Sequence, residues 1–389
     1  MRPRFRFRYL VAFAPLFVST LSAQSLPTRL TDKELWQLNA DFSEPNGYFR
    51  SDNFLSNETG YQYVIPELKK LVHPGSIYLG VGPEQNFTYI VALQPKIAFI
   101  FDIRRGNMIA HLMYKSLFET SADRAEFLSK LFSRPRPAGL SESSTPQQLF
   151  DAYENAAPDS ALFRRNLAAI KEHLTKTHAW VMNDSDSKLM DYTYSAFFGG
   201  GPSLNYNFRP GMGNYGGRFG GFGGMPTYAT LQSATDAEGK NWAFLANEAN
   251  FRWLKDFESK NLLVPVVGDF AGPKAIKAVA KYLKDHGAVV GAFYTSNVEQ
   301  YLWQNGVADA YYRNVETLPL DAGSTFIRSI GGGFRGRFGG PPSANPAAVQ
   351  AQARLGGRLP SVICSIQSLI KAFDDGKIMS YADVIALSR

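Results

Sequence analysis

An α/β fold, built on a mainly parallel sheet with helices on both faces, is predicted by three features of the sequence. Short apolar runs at residues 76–81, 96–102, 262–267 and 288–294 alternate with longer stretches of helical character. The first run ends in Gly80-Val81-Gly82, a pair of glycines that allows a tight turn and close approach of a ligand to the backbone. The second run ends at Asp102, twenty residues beyond Gly82, where an acid can take a ribose hydroxyl pair. Strand, glycine turn, short helix, strand and acid together describe a Rossmann-like nucleotide-binding layout.

The elements follow in order. Residues 27–72 read as a helical lead-in, broken by His73-Pro74-Gly75. The strand 76–81 is followed by a short helix at about 86–93, which stops before Pro95. After the strand 96–102, a long helix is expected from 107 to about 132, with Met108, Leu112, Leu117, Phe127 and Leu131 on its apolar face. Arg134-Pro135-Arg136-Pro137 interrupts the pattern. Two helices over 146–176 form a helical insertion of about 134–176. Residues 199–224 are glycine-rich, a related Gly-Arg-Phe-Gly-Gly recurs at 336–340, and both read as flexible loops. Helix and strand then alternate again: helix 242–260, strand 262–267, helix 274–286 opened by Pro273, strand 288–294 and helix 297–304. Late strands are expected at 308–315 and 324–330, a linker at 331–358, and C-terminal helices at 360–373 and 381–387 within a segment 359–389.

The chain has 389 residues and a formal charge of +7. Arg2, Arg4, Arg6 and Arg8 precede the apolar run 9–21, and Ala23 stands where a signal peptidase would cut. Residues 1–23 therefore read as a signal peptide for export to the periplasm or the extracellular space. The alternative is an uncleaved anchor, short for a spanning helix; if the signal is misread, the protein is cytoplasmic. Without those arginines, 37 basic residues face 34 acidic ones, a balance that gives no support to a nucleic-acid partner. No other stretch is apolar enough to span a membrane. Cys364 is the single cysteine, so no internal disulfide forms, and its Val-Ile-Cys-Ser-Ile setting reads as core.

In open parallel sheets, ligands bind beyond the carboxyl ends of the strands. Gly80 to Asn86, Asp102 to Arg104, Gly268 to Phe270 and Tyr294 to Glu299 should gather there. Each has a plainer reading. Asp102 can cap the segment after it, Asp269 can start a turn, and Glu299 can complement a helix dipole. None of the five histidines, His73, His111, His173, His178 and His286, forms the i, i+4 pair of a helical zinc site, and no metal site is expected. A Gly-x-Ser-x-Gly elbow and a phosphate loop are absent from the sequence.

With the glycine turn, the acid after the second strand and the helix end Tyr282-Leu283-Lys284-Asp285-His286-Gly287, the chain resembles the class I S-adenosylmethionine-dependent methyltransferases. The strings Val264-Pro265-Val266-Val267-Gly268-Asp269-Phe270-Ala271-Gly272-Pro273-Lys274 and Thr295-Ser296-Asn297-Val298-Glu299-Gln300-Tyr301-Leu302 resemble an uncharacterised bacterial family grouped with them by fold. The resemblance implies S-adenosylmethionine as cofactor, with Gly80 and Gly82 along its methionine part and Asp102 on its ribose. Gly268, Asp269 and Tyr294 would face the acceptor, with Asp269 as candidate base; Phe270, Asn297 and Glu299 would line the substrate side. The motif departs from the superfamily pattern at Tyr78, in place of an acid, and at Glu84, in place of the third glycine. Glu84 then either meets the sulfonium and amino group or marks a lost cofactor site. Two other readings stand beside methyl transfer: an exported non-catalytic binding protein for a small molecule, and a nicotinamide-dependent oxidoreductase, which Gln85 at the third glycine of the dinucleotide fingerprint disfavours.

Overall fold

The computed structural model describes residues 25–214, 225–330 and 361–389. Residues 1–24, on which the signal-peptide expectation falls, and the glycine-rich stretches 215–224 and 331–360 lie outside them. One six-stranded sheet is formed by β1 (Ile77–Val81), β2 (Ala98–Asp102), β5 (Leu263–Val267), β6 (Val290–Ser296), β7 (Leu320–Ser329) and β8 (Ser361–Ser365), in the order β5-β2-β1-β6-β7-β8. A separate hairpin pairs β3 (Phe208–Arg209) with β4 (Gly213–Asn214). The first five strands of the sheet run parallel, and only β8 reverses, against β7. β1, β2 and β5 are buried along their whole length, which is why they read as unbroken apolar runs instead of alternating ones. Pro265 is tolerated because β5 is an edge strand.

The fold is mixed α/β, with helices around a mostly parallel sheet, as the alternating pattern predicts. The strand order changes direction at β1, which has β2 on one side and β6 on the other. The crevice between the carboxyl ends of β1 and β6 is thus the topological switch point, the usual ligand position in such sheets. Among the described residues, no helix is long and apolar enough to cross a membrane.

Several elements differ from the sequence reading. The lead-in is helical only at Asp32–Phe42 and from Tyr61 to Leu71; residues 43–60 are irregular and form a strap over the carboxyl edge of the sheet. The long helix expected over 107–132 is two, Arg105–Thr120 and Arg124–Phe132, because Asp123 breaks the chain and caps the second helix through Glu126 N. Residues 242–247 are not helical: Gln62 Oε1 accepts from Trp242 N, and Asn247 caps the helix Glu248–Ser259. Ala308–Val315 is a helix and not a strand; its buried Ala308, Tyr311, Tyr312 and Val315 recur at helical spacing. Ser361–Ser365 is a strand, since it extends the sheet beside β7. The early part of the 199–224 glycine stretch is packed. Gly199 and Gly200 end the helix Asp184–Gly200, and a Cβ on Gly200 would lie 2.7 Å from Leu204. Glycine serves close approach there.

Candidate functional site

The strap puts its own side chains where a ligand would sit. Glu44 N donates to Val267 O (2.7 Å) and Gly47 N to Ile103 O (2.8 Å), tying the strap to the ends of β5 and β2. The Glu44 carboxylate accepts from Asp269 N (3.0 Å), Lys274 N (2.8 Å) and Ala275 N (2.9 Å). It thereby caps the helix Ala275–Asp285, whose N-terminus is otherwise an anion site. Further along, Glu58 enters the β1/β6 crevice. It accepts from Tyr294 Oη (2.8 Å), Ser296 Oγ (2.5 Å) and Gln85 Nε2 (2.9 Å). Burial pushes its carboxyl above the ordinary range, against these hydrogen bonds.

The glycine turn is locked from inside. Asn86 Nδ2 donates to the carbonyls of Val81 (3.0 Å), Gly82 (3.2 Å) and Pro83 (2.7 Å), and Tyr78 Oη donates to Asn86 Oδ1 (2.9 Å). A Cβ on Gly80 would strike that Oδ1. Gly80 thus makes room for Asn86 and not for a ligand. Gly82, at φ +75°, has open space at its Cβ position, while its carbonyl accepts from His111 Nε2 (2.9 Å). Burial lowers the His111 value to about 4, so its ring is neutral. Glu84 is buried, and burial, with the Glu58 charge as a smaller contributor, lifts its carboxyl to about 8. Its Oε2 has no hydrogen-bond partner among the described residues.

Asp102 lies one residue beyond the Val81–Phe101 pair, as the parallel register requires. Its Oδ1 accepts from Arg104 N (2.8 Å) and stands 3.5 Å from Arg104 Nε. Burial raises its carboxyl while Arg104 opposes the rise. Beside it opens a pocket of about 190 Å³ at the start of the helix Arg105–Thr120, walled by Tyr48, Phe49, Phe54 and Tyr192 and floored by Arg104, Gly106 and Asn107. Arg104 Nη1 donates to Asp52 O (2.6 Å), whereas Arg104 Nη2 and Asn107 Oδ1 are buried without hydrogen-bond partners among the described residues. No sequence signal singled out this pocket. Three of the four aromatic walls come from the strap, which has no periodicity to read, and Tyr192 comes from the helix Asp184–Gly200.

The residues expected on the acceptor side do not converge on a common space. Asp269 Oδ1 accepts from Ala271 N (2.9 Å) and holds a local turn. Tyr294 is committed to Glu58. Gly268 lets the end of β5 pack on Ala275. Phe270 is core, stacked on Tyr311 at 5.4 Å and against Phe293 at 5.3 Å. Asn297 precedes the helix Val298–Gln304. Glu299 is buried and ion-paired to Arg328 Nε, with further donors in Arg328 Nη2 (3.2 Å) and Tyr312 Oη (3.0 Å).

Residues 53–194 and 215–353 match the family described as "Domain of unknown function (DUF7790)". The chain belongs to that family. The matched span takes in Glu58, the glycine turn, Asp102 and Arg104. No curated protein matches the chain. The residues of this DUF7790 chain do not fit the sulfonium cofactor that the resemblance implies. The Gly80 approach is taken by Asn86, Glu84 is turned into the interior, and the switch-point crevice holds Glu58.

Proposed function

We propose that the chain is an exported, non-catalytic binding protein carried on a methyltransferase-like sheet, and that its ligand is a small organic anion with a flat apolar part. One observation carries this reading. The crevice that serves catalysis in such sheets is filled by the chain's own side chains, while the pocket beside it is lined by aromatic side chains together with the Arg104 side chain. A guanidinium recognises a carboxylate or phosphate, and Tyr48, Phe49, Phe54 and Tyr192 suit a ring. Export rests on the arginine-led apolar segment at the N-terminus.

Calorimetric titration of the chain with phenyl phosphate, benzoate, S-adenosylmethionine and S-adenosylhomocysteine tests the reading. Phenyl phosphate or benzoate should bind the native chain, and Arg104→Ala should weaken that binding at least tenfold, on the scale of about 1.5–3 kcal/mol for a charge-assisted hydrogen bond. The two sulfur nucleosides should give no heat at millimolar concentration. Micromolar binding of S-adenosylmethionine that Arg104→Ala leaves unchanged would overturn the proposal and restore methyl transfer.

A further inference from the structure

We propose that Glu119, His173 and His178 form a binding site for one divalent transition-metal ion of the zinc type. The three side chains meet at the amino edge of the sheet, at the far end of the helix whose start forms the aromatic pocket. Between Arg105 and Glu119 that helix rises about 21 Å, so the two sites are separate.

The local fold that joins the histidines is unusual. His173 and His178 are five residues apart, a spacing that an ordinary helix turns to different faces. Here His173–Thr177 is a π-helical turn, closed by His178 N donating to His173 O (3.2 Å). The i to i+5 register places the fifth residue over the first. Single π-turns recur at functional sites. The rings end up 4.9 Å apart, edge to face.

The ligand atoms are already close. His173 Nε2 is 3.4 Å and His178 Nε2 is 2.6 Å from the same atom, Glu119 Oε2, and one donor atom from each of the three residues lies within 4.8 Å of the others. Tetrahedral zinc bonds of about 2.0–2.1 Å separate ligand atoms by about 3.3 Å. His173 already stands at that distance, and His178 needs to retreat by less than one ångström. Two histidines and one carboxylate leave the fourth tetrahedral position to water.

The supporting shell is of the kind that metal sites use. A metal-ligating histidine commonly gives its second ring nitrogen to a carboxylate. His178 Nδ1 is 2.6 Å from Asp32 Oδ1, which also accepts from Asn261 Nδ2 (3.0 Å). Lys115 Nζ, 2.6 Å from Glu119 Oε1, holds the other carboxylate oxygen and leaves Oε2 for the ion. Trp36 Nε1 donates to His178 O (2.6 Å) and fixes the backbone there. Among the described residues His173 Nδ1 is buried without a hydrogen-bond partner, and the ring is turned inward so that Nε2 faces Glu119.

The full chain, stripped with a chelator and dialysed, is titrated with CoCl2 while its visible absorption is recorded, then with ZnCl2 in competition. One equivalent of cobalt should give tetrahedral ligand-field bands, and zinc should abolish them. His173→Ala should weaken cobalt binding at least a hundredfold without lowering the melting temperature of the metal-free chain. Asp32→Asn should weaken it by about 10–100-fold, the range for a lost outer partner. Absence of one-to-one uptake by the native chain at millimolar metal would overturn the proposal, as would unchanged uptake by His173→Ala. Phenyl phosphate binding at Arg104 is read in the same samples, so the two sites stand or fall separately.

Discussion

The two edges of the sheet handle polar groups in opposite ways. At the carboxyl edge, where doubly wound sheets take their ligands, carboxylates are consumed internally: Glu44 by three backbone N–H groups, Glu58 by Tyr294, Ser296 and Gln85, and Glu299 by Arg328. At the amino edge, Glu119 and two histidines converge with one ring nitrogen unspent. A carboxylate surrounded by donors is structural cement. Glu119 also holds Lys115 on one oxygen, but its other oxygen faces two imidazole nitrogens, an arrangement in which a metal cation can replace the proton. Position on the fold alone therefore does not tell where a ligand binds in this chain.

That contrast is broken or sharpened by substitutions whose costs should fall in a definite order. The largest belongs to Arg328→Ala, which leaves Glu299 buried and unpaired; it should cost about 3–5 kcal/mol in urea unfolding. Pairing Arg328→Met with Glu299→Leu should recover most of the loss, since a buried ion pair is often replaceable by packed apolar groups. Equal losses in the single and double variants would mean that the pair does more than neutralise itself. Next, Glu58→Ala removes the shared acceptor of Tyr294, Ser296 and Gln85 and should cost roughly 2–4 kcal/mol, with Glu58→Gln milder because its amide oxygen still accepts. A cost below about 0.5 kcal/mol would show that Glu58 is not what closes the crevice.

A smaller effect is expected at Glu84, and its sign depends on pH. The folded value of about 8 lies above the ordinary 4.5, so between these values the native chain keeps a proton that the unfolded chain has lost. Stability from this group is therefore complete below about pH 4.5 and declines as the pH rises to 8. Glu84→Gln should melt higher than the native chain at pH 8.5, by roughly 1–3 kcal/mol, and the gap should narrow toward pH 4. Glu58 and Glu258, both raised by burial, keep some slope in the variant, so the difference between the two curves is the quantity to read. A constant gap across the range would mean that Glu84 does not titrate in the folded state as described.

Much of the sheet was legible because fully buried parallel strands leave an unbroken apolar signature, and Gly82 and Asp102 lie where the register of β1 and β2 demands. The strap was not. Its contacts join residues more than two hundred positions apart, such as Glu58 with Tyr294, and an irregular segment pinned by side chains carries no period. Gly80 shows how a motif misleads: the glycine is required, but by Asn86 six residues on. The helix Ala308–Val315 was missed although its i, i+3, i+4, i+7 burial is written in the residues. The histidine pair has no mark at the helical spacing of four, because a π-turn aligns it at five.

The reversed edge strand has a practical consequence. Cys364, the only thiol in the chain, sits on β8 opposite Phe326, with its Sγ turned to Ser365 O and its side chain buried. Burial raises its ionisation above the ordinary range and so slows its reaction in the closed sheet, Arg328 opposing. Where reaction outpaces reclosing, a thiol-reactive dye therefore labels the molecule at the rate at which β8 comes away from β7. The fold carries its own single-site clock for the opening of one edge, and the interval between labelling events measures how long the sheet stays whole.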